Sequence, residues 1–414
     1  MTGARAVTRC DELGLPPYSD MPGGLYRGYL TPAYLAAQDA LAGWMAEAGM
    51  AVRRDPAANL VGRYEGTDPQ APALLIGSHL DSVRDGGRYD GPLGIMLGIE
   101  CVAALSAQGR RLKFPIEVYA FGDEEGSRFP AAMLTSRAIA GTLTPAALEI
   151  ADAEGMTLQA ALELASTSPF VLEAYLTAAR APGSTLAYLE AHIEQGPVLE
   201  AEGLAVGTVT GIAAQLRYKV SVQGMAGHAG TTTMHLRRDP LAGAAEMVLA
   251  VEALARADNS DVVATVGAIE ALPGAPNVIP GEVRFTIDVR SGAVERRDAV
   301  AEAILARIAD IASVRNLNLA VPRIHDLPAS PCDPLLMNLM DQALAGAGQP
   351  VRRLVSGAGH DAMNIAALCP TAMLFIRCKD GISHNPAEHV DPADAQIALQ
   401  VMLGFIERLA ATYA

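Results

Sequence analysis

Two apolar segments with a helical one between them constrain this chain most. "APALLIGSHL" at 71–80 and "FPIEVYAFGDEE" at 114–125 are near-continuous apolar runs, the pattern of strands buried on both faces. "LGIMLGIECVAALSAQG" at 93–109 is helical and stops at Gly109. Strand, helix and strand at this spacing predict a βαβ unit and a parallel sheet. Such sheets bind ligands at the carboxyl ends of their strands. Both strands run into acids there: His79, Asp81, Asp85 and Asp90 after the first, Glu124 and Glu125 after the second.

The middle of the chain changes character. "LRYKVSVQGMAG" at 216–227 alternates like a half-exposed strand, as do "VVATVGAIEAL" at 262–272 and "GEVRFTIDVRSG" at 281–292. Two helical stretches, "DPLAGAAEMVLAVEALARA" and "VERRDAVAEAILARIADIA", lie among them. Two helices on an antiparallel sheet make a small α+β domain, placed at 213–328. Beyond it the α/β pattern returns, with a helix at 334–346, a strand at 372–378 and a helix from 391 onward. The expectation is therefore an α/β domain formed by 1–212 and 329–414, with 213–328 inserted in it.

Bulk properties exclude several functions. The 414 residues carry a net charge of −15 and no long basic cluster, which argues against nucleic-acid or membrane-surface binding. No stretch reaches the ~18–20 apolar residues of a membrane helix, and "MTGARAVTRCDELG" lacks the apolar core of a signal peptide. The five cysteines form no CxxC pair and suit a reducing compartment. These features predict a cytoplasmic globular protein.

The chemistry-bearing residues gather at strand ends and in Gly/Pro-rich loops. They are His79, Asp81 and Asp90, then Glu124-Glu125 in "FGDEEGSRF", His192 in "AHIEQGP" and His384 in "GISHNPAEH". Taken singly each has a bland reading: a solvated corner, or a structural histidine. Together, three imidazoles and two or three carboxylates form a plausible shell for one or two divalent metals, zinc, manganese or cobalt. Asp81, two residues past His79 on an extended strand, is expected on the same face, where its carboxylate can accept the imidazole N–H.

Six blocks, "GSHLDSV…GGRYDGPLGI", "GDEEGSRF", "HIEQGPVLE", "GHAGTTTM…RRD", "SGAGHDAMNIA" and "GISHNPAEHV", run in order along nearly the whole chain. They resemble the hydantoinase/carbamoylase branch of the di-zinc aminoacylase and carboxypeptidase superfamily. The resemblance implies an aminopeptidase-like α/β catalytic domain that carries two divalent metal ions, with the inserted domain as lid and dimerisation surface. It further implies that His79, Asp90, Glu125, His192 and His384 are the metal ligands, with Asp90 bridging. Glu124 matches the general base, which takes a proton from the attacking water and passes it to the leaving nitrogen. Asp81 matches the acid behind His79. His228 matches an oxyanion donor that reaches the site of a partner subunit in a homodimer. Gln215, Asn277, Arg290 and Gly359 match substrate-binding positions, Arg290 as a clamp for a carboxylate. Without the resemblance, Arg290 reads as an ordinary surface ion pair. His360 and Asp361 fall in a family block as support for the pocket. Related chains often carry Pro where Thr233 stands.

The activity so implied is a metal-dependent amidohydrolase that cleaves the ureido (N-carbamoyl) C–N bond of a small carboxylate. Allantoate is the first choice. An N-carbamoyl-L-amino-acid hydrolase or β-ureidopropionase is the alternative, and an aminoacylase or dipeptidase the more remote one. A non-catalytic relative would have lost a ligand or the base, and none is lost in this sequence.

Overall fold

The computed structural model describes residues 2–165, 174–175 and 178–413. Its contacts divide the chain into two units: Met1–Thr210 with Cys332–Leu354 and Gly359–Ala414, and Gly211–Pro331 with Val355–Ala358.

The larger unit is built on a mixed sheet. Strands Ile116–Phe121, Ala73–His79, Thr185–Ile193 and Thr371–Ile376 lie side by side in that order, all parallel. Antiparallel neighbours flank them: Leu60–Tyr64 and Ala51–Arg54 on one side, Val206–Ile212 on the other. Every residue of Ala73–His79 and of Ile116–Phe121 is buried, as expected for the centre of a parallel sheet. Helix Pro92–Ala107 crosses between these two strands and buries twelve of its sixteen residues. Each fully buried Leu or Ile on it contributes about 1.5–3 kcal/mol. The expected βαβ unit is thus present, and it delivers the loop 80–91 and the loop after Phe121 to one edge of the sheet.

The smaller unit carries an antiparallel sheet. Its strands Ala214–Gln223 and Glu282–Ser291 pair over ten residues. Even-numbered residues of the first strand (Leu216, Tyr218, Val220, Val222) and odd-numbered ones of the second (Val283, Phe285, Ile287, Val289) are buried. Helices Pro240–Asp258 and Val294–Val314 supply Met247, Val251, Ile304 and Ile308 to the same core. The other sheet face stays polar, with Arg217 and Lys219 exposed. The segment 262–272, expected as one strand, is two short ones: Val263–Thr265 and Ile269–Leu272. Both pair with Glu282–Ser291, but around different residues. The break falls at Val266–Ala268, around Gly267, which has no side chain to pack on the pleat.

Among the described residues no helix is long and apolar enough to cross a membrane.

Candidate metal centre

His79 is the last residue of strand Ala73–His79, and His192 lies one residue from the end of the neighbouring parallel strand Thr185–Ile193. Their buried rings stack at 5.6 Å between centroids. Nδ1 of His79 lies 3.0 Å from the backbone oxygen of Asp81, and Nδ1 of His192 lies 2.9 Å from that of Ile193. A carbonyl can only accept, so each Nδ1 carries a proton and Nε2 is the atom left to face Asp90. Against burial, Asp90 and the neighbouring acids favour the protonated ring at both histidines, and Nε2 becomes a ligand once that second proton leaves. The two Nε2 atoms face each other at 3.4 Å, with Asp90 Oδ1 at 3.2 Å from one and 3.1 Å from the other. Two Nε2 atoms and a carboxylate oxygen converging on one buried point need positive charge among them, which protons supply in the metal-free chain and a divalent cation can supply in their place. These residues therefore fit a divalent metal, and carbonyl-held Nδ1–H groups are the usual support for ligating histidines.

Asp90 turns its other oxygen the opposite way. Oδ2 lies 3.5 Å from His384 Nε2, and that nitrogen is 3.4 Å from Glu125 Oε1. The donors thus form one group of His79, Asp90 and His192 and another of Asp90, Glu125 and His384, with Glu124 in a third beside His79 and Glu125. The expected metal set is brought together, and Asp90 stands in both halves of it. His384 is the outlier in environment: its side chain is 49% exposed and its backbone is left-handed, with φ 55°.

Gly91 explains part of the glycine content of this loop. Its φ is 85°, and a Cβ there would lie 2.6 Å from the His79 ring. Only glycine meets both conditions, and helix Pro92–Ala107 can then start directly after Asp90.

Asp81 departs from expectation. Its carboxylate is 3.9 Å from His79 Nδ1, too far for the bond assigned to it. The strand ends at His79, so alternation no longer fixes where residue 81 points. The carboxylate instead accepts the backbone N–H groups of Glu124 and Glu125, both at 3.2 Å. It is the carbonyl of Asp81 that fixes the His79 tautomer.

Burial sets the charge states. Burial opposes the ionised form of Asp90, but His192 and His79 outweigh it and hold this carboxyl well below its ordinary range. Burial, against the pull of His79, pushes the Glu124 carboxyl well above its range and that of Glu125 up to about 8. Two neighbouring acids over one such cluster suit ligation by one and proton transfer by the other.

Further residues contact this set: Gln195, Ser383 and Glu388 lie in the quoted blocks without a role expected of them, whereas His360, Asp361 and Gly359 were expected near the pocket. Gln195 donates to Asp90 Oδ2 at 2.8 Å, Ser383 bonds the same oxygen, and Glu388 accepts from the backbone of Tyr89 and Asp90. His360 is buried edge-on against His192, with centroids 4.5 Å apart. Asp361 is buried beside it, its carboxyl pushed up to about 8 by burial and by Glu190. A Cβ on Gly359 would stand 4.0 Å from Glu124 Oε1.

The remaining expected residues lie in the smaller unit. His228 and Asn277, both exposed, meet in a two-stranded ribbon, where Val278 pairs with His228 and the Ala229 N–H donates to the Asn277 carbonyl at 3.1 Å. Gln215 and Arg290 are cross-strand partners that share Asp288. Asp288 accepts from Gln215 Nε2 at 2.7 Å, from Arg217 Nε at 2.7 Å, and from Arg290 Nε and Nη2 at 2.8 and 3.1 Å. Arg290 and Arg217 line a cavity of about 500 Å³ with Tyr218, Val263 and Ile324. Thr233 precedes the short turn Met234–Leu236 with φ −66°, an angle that proline would also take.

Comparison with known proteins gives consistent relatives. The sequence profile of peptidase family M20/M25/M40 matches residues 75–408. An N-carbamoyl-L-amino acid amidohydrolase of Geobacillus stearothermophilus is 45% identical over 409 residues, covering 99% of this chain and 98% of that protein. An allantoate deiminase of Arabidopsis thaliana is 41% identical over 430 residues, covering 97% and 81%. Among solved structures, a hydantoinase/carbamoylase family amidase from Burkholderia multivorans superposes with a TM-score of 0.90 at 35% identity, covering 99% of this chain and 98% of that one.

Proposed function

The chain belongs to peptidase family M20/M25/M40, and from that premise we propose that it is a metal-dependent amidohydrolase. Its reaction is cleavage of the ureido (N-carbamoyl) C–N bond of a small carboxylate, with allantoate as the first substrate. The observation that carries the reading is the division of donors around Asp90, whose two oxygens face two different histidine-containing groups.

A pair of divalent cations, zinc or manganese with cobalt as a third choice, supplies a Lewis acid that polarises the carbonyl and acidifies water. His79 and His192 would hold one, Glu125 and His384 the other, and Asp90 both. Glu124, buried beside this set, takes the proton of the attacking water and returns it to the departing nitrogen. Asp81 fixes the two amides from which Glu124 and Glu125 hang. Arg290, oriented by Asp288, takes the substrate carboxylate, with Gln215, Asn277 and Gly359 in supporting contacts. The smaller unit acts as lid and dimer surface, and His228 completes the site of a partner subunit in a cytoplasmic homodimer.

A second reading, hydrolysis of N-carbamoyl-L-amino acids, is favoured by the Geobacillus relative. A substrate panel separates the two. Protein loaded with Mn²⁺ or Zn²⁺ is given allantoate, ureidoglycolate, N-carbamoyl-amino acids, β-ureidopropionate and N-acetyl-amino acids, and ammonia and free amine are both assayed. Fastest ammonia release from allantoate supports the first reading. Free amino acid from carbamoyl substrates selects the second. Turnover of acetyl substrates alone defeats both.

A further inference from the structure

Glu388 belongs to none of the donor groups and yet ties two of their loops together. Its carboxylate is buried, with the residue 5% exposed. Oε1 accepts the backbone N–H groups of Tyr89 at 2.8 Å and Asp90 at 3.1 Å. Oε2 accepts the hydroxyl of Ser383 at 3.2 Å, and the same hydroxyl contacts Asp90 Oδ2. His384 is the residue after Ser383. One carboxylate thus joins the loop that ends in Asp90 to the loop that carries His384, across 298 residues of sequence. The fit is close: a Cβ on Gly87 would lie 2.1 Å from the Glu388 carboxyl carbon, so glycine at 87 is what lets the carboxylate lie against this loop.

The two halves of the centre differ in how they are held. His79 and His192 project from paired strands with both Nδ1 atoms fixed. His384 sits on an exposed loop with a left-handed backbone and is tethered next door through Ser383. We infer that Glu388 is a positioning residue that sets Asp90 Oδ2 and His384 in register for the second cation, an inference that rests on the two-cation reading above. Its role is to accept two consecutive amides and one hydroxyl, and this predicts a selective defect. Loss of Glu388 disturbs the Asp90–Glu125–His384 half and leaves the His79–Asp90–His192 half nearly intact.

The test is calorimetric titration of Zn²⁺ or Mn²⁺ into the full-length chain after chelation, with folding followed by circular dichroism. Wild type should take up two ions. Glu388→Ala should keep the first affinity and weaken the second by about 10–100-fold, the usual effect of removing a group that supports a ligand. Glu388→Gln, whose amide oxygen can still accept both N–H groups, should recover most of that loss. Gly87→Ala displaces the carboxylate without removing it and should reproduce the selective defect; it decides the matter if Glu388→Ala does not fold. A folded Glu388→Ala or Gly87→Ala protein with both affinities at wild-type values overturns the inference. So does equal weakening at both sites, or a Glu388→Gln protein as impaired as Glu388→Ala. If wild type itself takes up fewer than two ions, the two-cation reading fails instead.

Discussion

Asp81 holds the main chain of Glu124 and not the ring of His79. Its carboxylate accepts the Glu124 and Glu125 amides at 3.2 Å each, while His79 Nδ1 stands 3.9 Å away and bonds the Asp81 carbonyl. A side chain that anchors the loop of the proposed base controls where that base sits. Asp81→Ala should therefore lower kcat by about 10²-fold, as a misplacement on the order of 1 Å does, while the His79–His192 ion stays bound. Metal content and kcat measured together check this. Loss of that ion with normal kcat per remaining ion would return Asp81 to the imidazole.

Glu124 gives the sharpest separation of binding from chemistry. It is buried, and burial favours its protonated form, which suits a group that accepts a proton and gives it back. Glu124→Gln should retain both ions and lose about 10²–10⁴-fold in kcat, the range for general acid–base catalysis. A variant with full turnover removes Glu124 from the role.

The sequence shows more of this centre than of what surrounds it. His79 and the Glu124-Glu125 pair are readable because apolar strands deliver them to the carboxyl edge of a parallel sheet, which is where they lie. Alternation misplaces the carboxylate of Asp81 because the period of two ends with the strand, at His79. Glu388 and Ser383 stand in the same block as His384, but nothing local shows their role: their contacts with Asp90 span 298 and 293 residues, and only the folded chain brings such positions together. The strand expected over 262–272 breaks for a local reason, at Gly267. Burial alternates along Val263–Thr265 but not along Ile269–Leu272, and the two stretches pair separately with Glu282–Ser291.

Arg290 is held from one side. Asp288 takes its Nε–H and one Nη2–H, and the carbonyl of Gly357 takes one Nη1–H. Of five N–H groups, one on each Nη remains, a fork suited to a carboxylate. Arg290→Ala should lower kcat/KM on carboxylate substrates by about 10–100-fold, the worth of a hydrogen bond to a charged group. Asp288→Asn keeps the shape and loosens the grip, so KM should rise by about tenfold with little change in kcat. The same two variants compared on a substrate whose carboxylate is amidated should show no such penalty. Equal losses on both substrates would mean that the pair stabilises the sheet and does not read the acid.

Removing the metals exposes a pH dependence with a definite sign. Burial pushes the carboxyl of Glu125 up to about 8, that of Asp361 up to about 8 and that of Glu388 up to about 7. In the unfolded chain these groups return to ordinary values near 4. Between the two, the folded chain binds more protons than the unfolded one, so stability falls as pH rises. Stability from these groups is fully present below about pH 4 and is lost as pH climbs through 7–8. Asp90, with its carboxyl held low, works the other way, but only below its ordinary value of 3.8. Metal ions compete with those protons and bind only deprotonated ligands, so their stabilisation grows over the same interval and reaches about 2.7 kcal/mol at a concentration 100 times Kd. Melting temperatures of chelated protein should decline from pH 5 to pH 8, and added Zn²⁺ or Mn²⁺ should restore most at pH 8. A chelated protein with a flat profile over that range would show that these acids do not carry their protons into the fold.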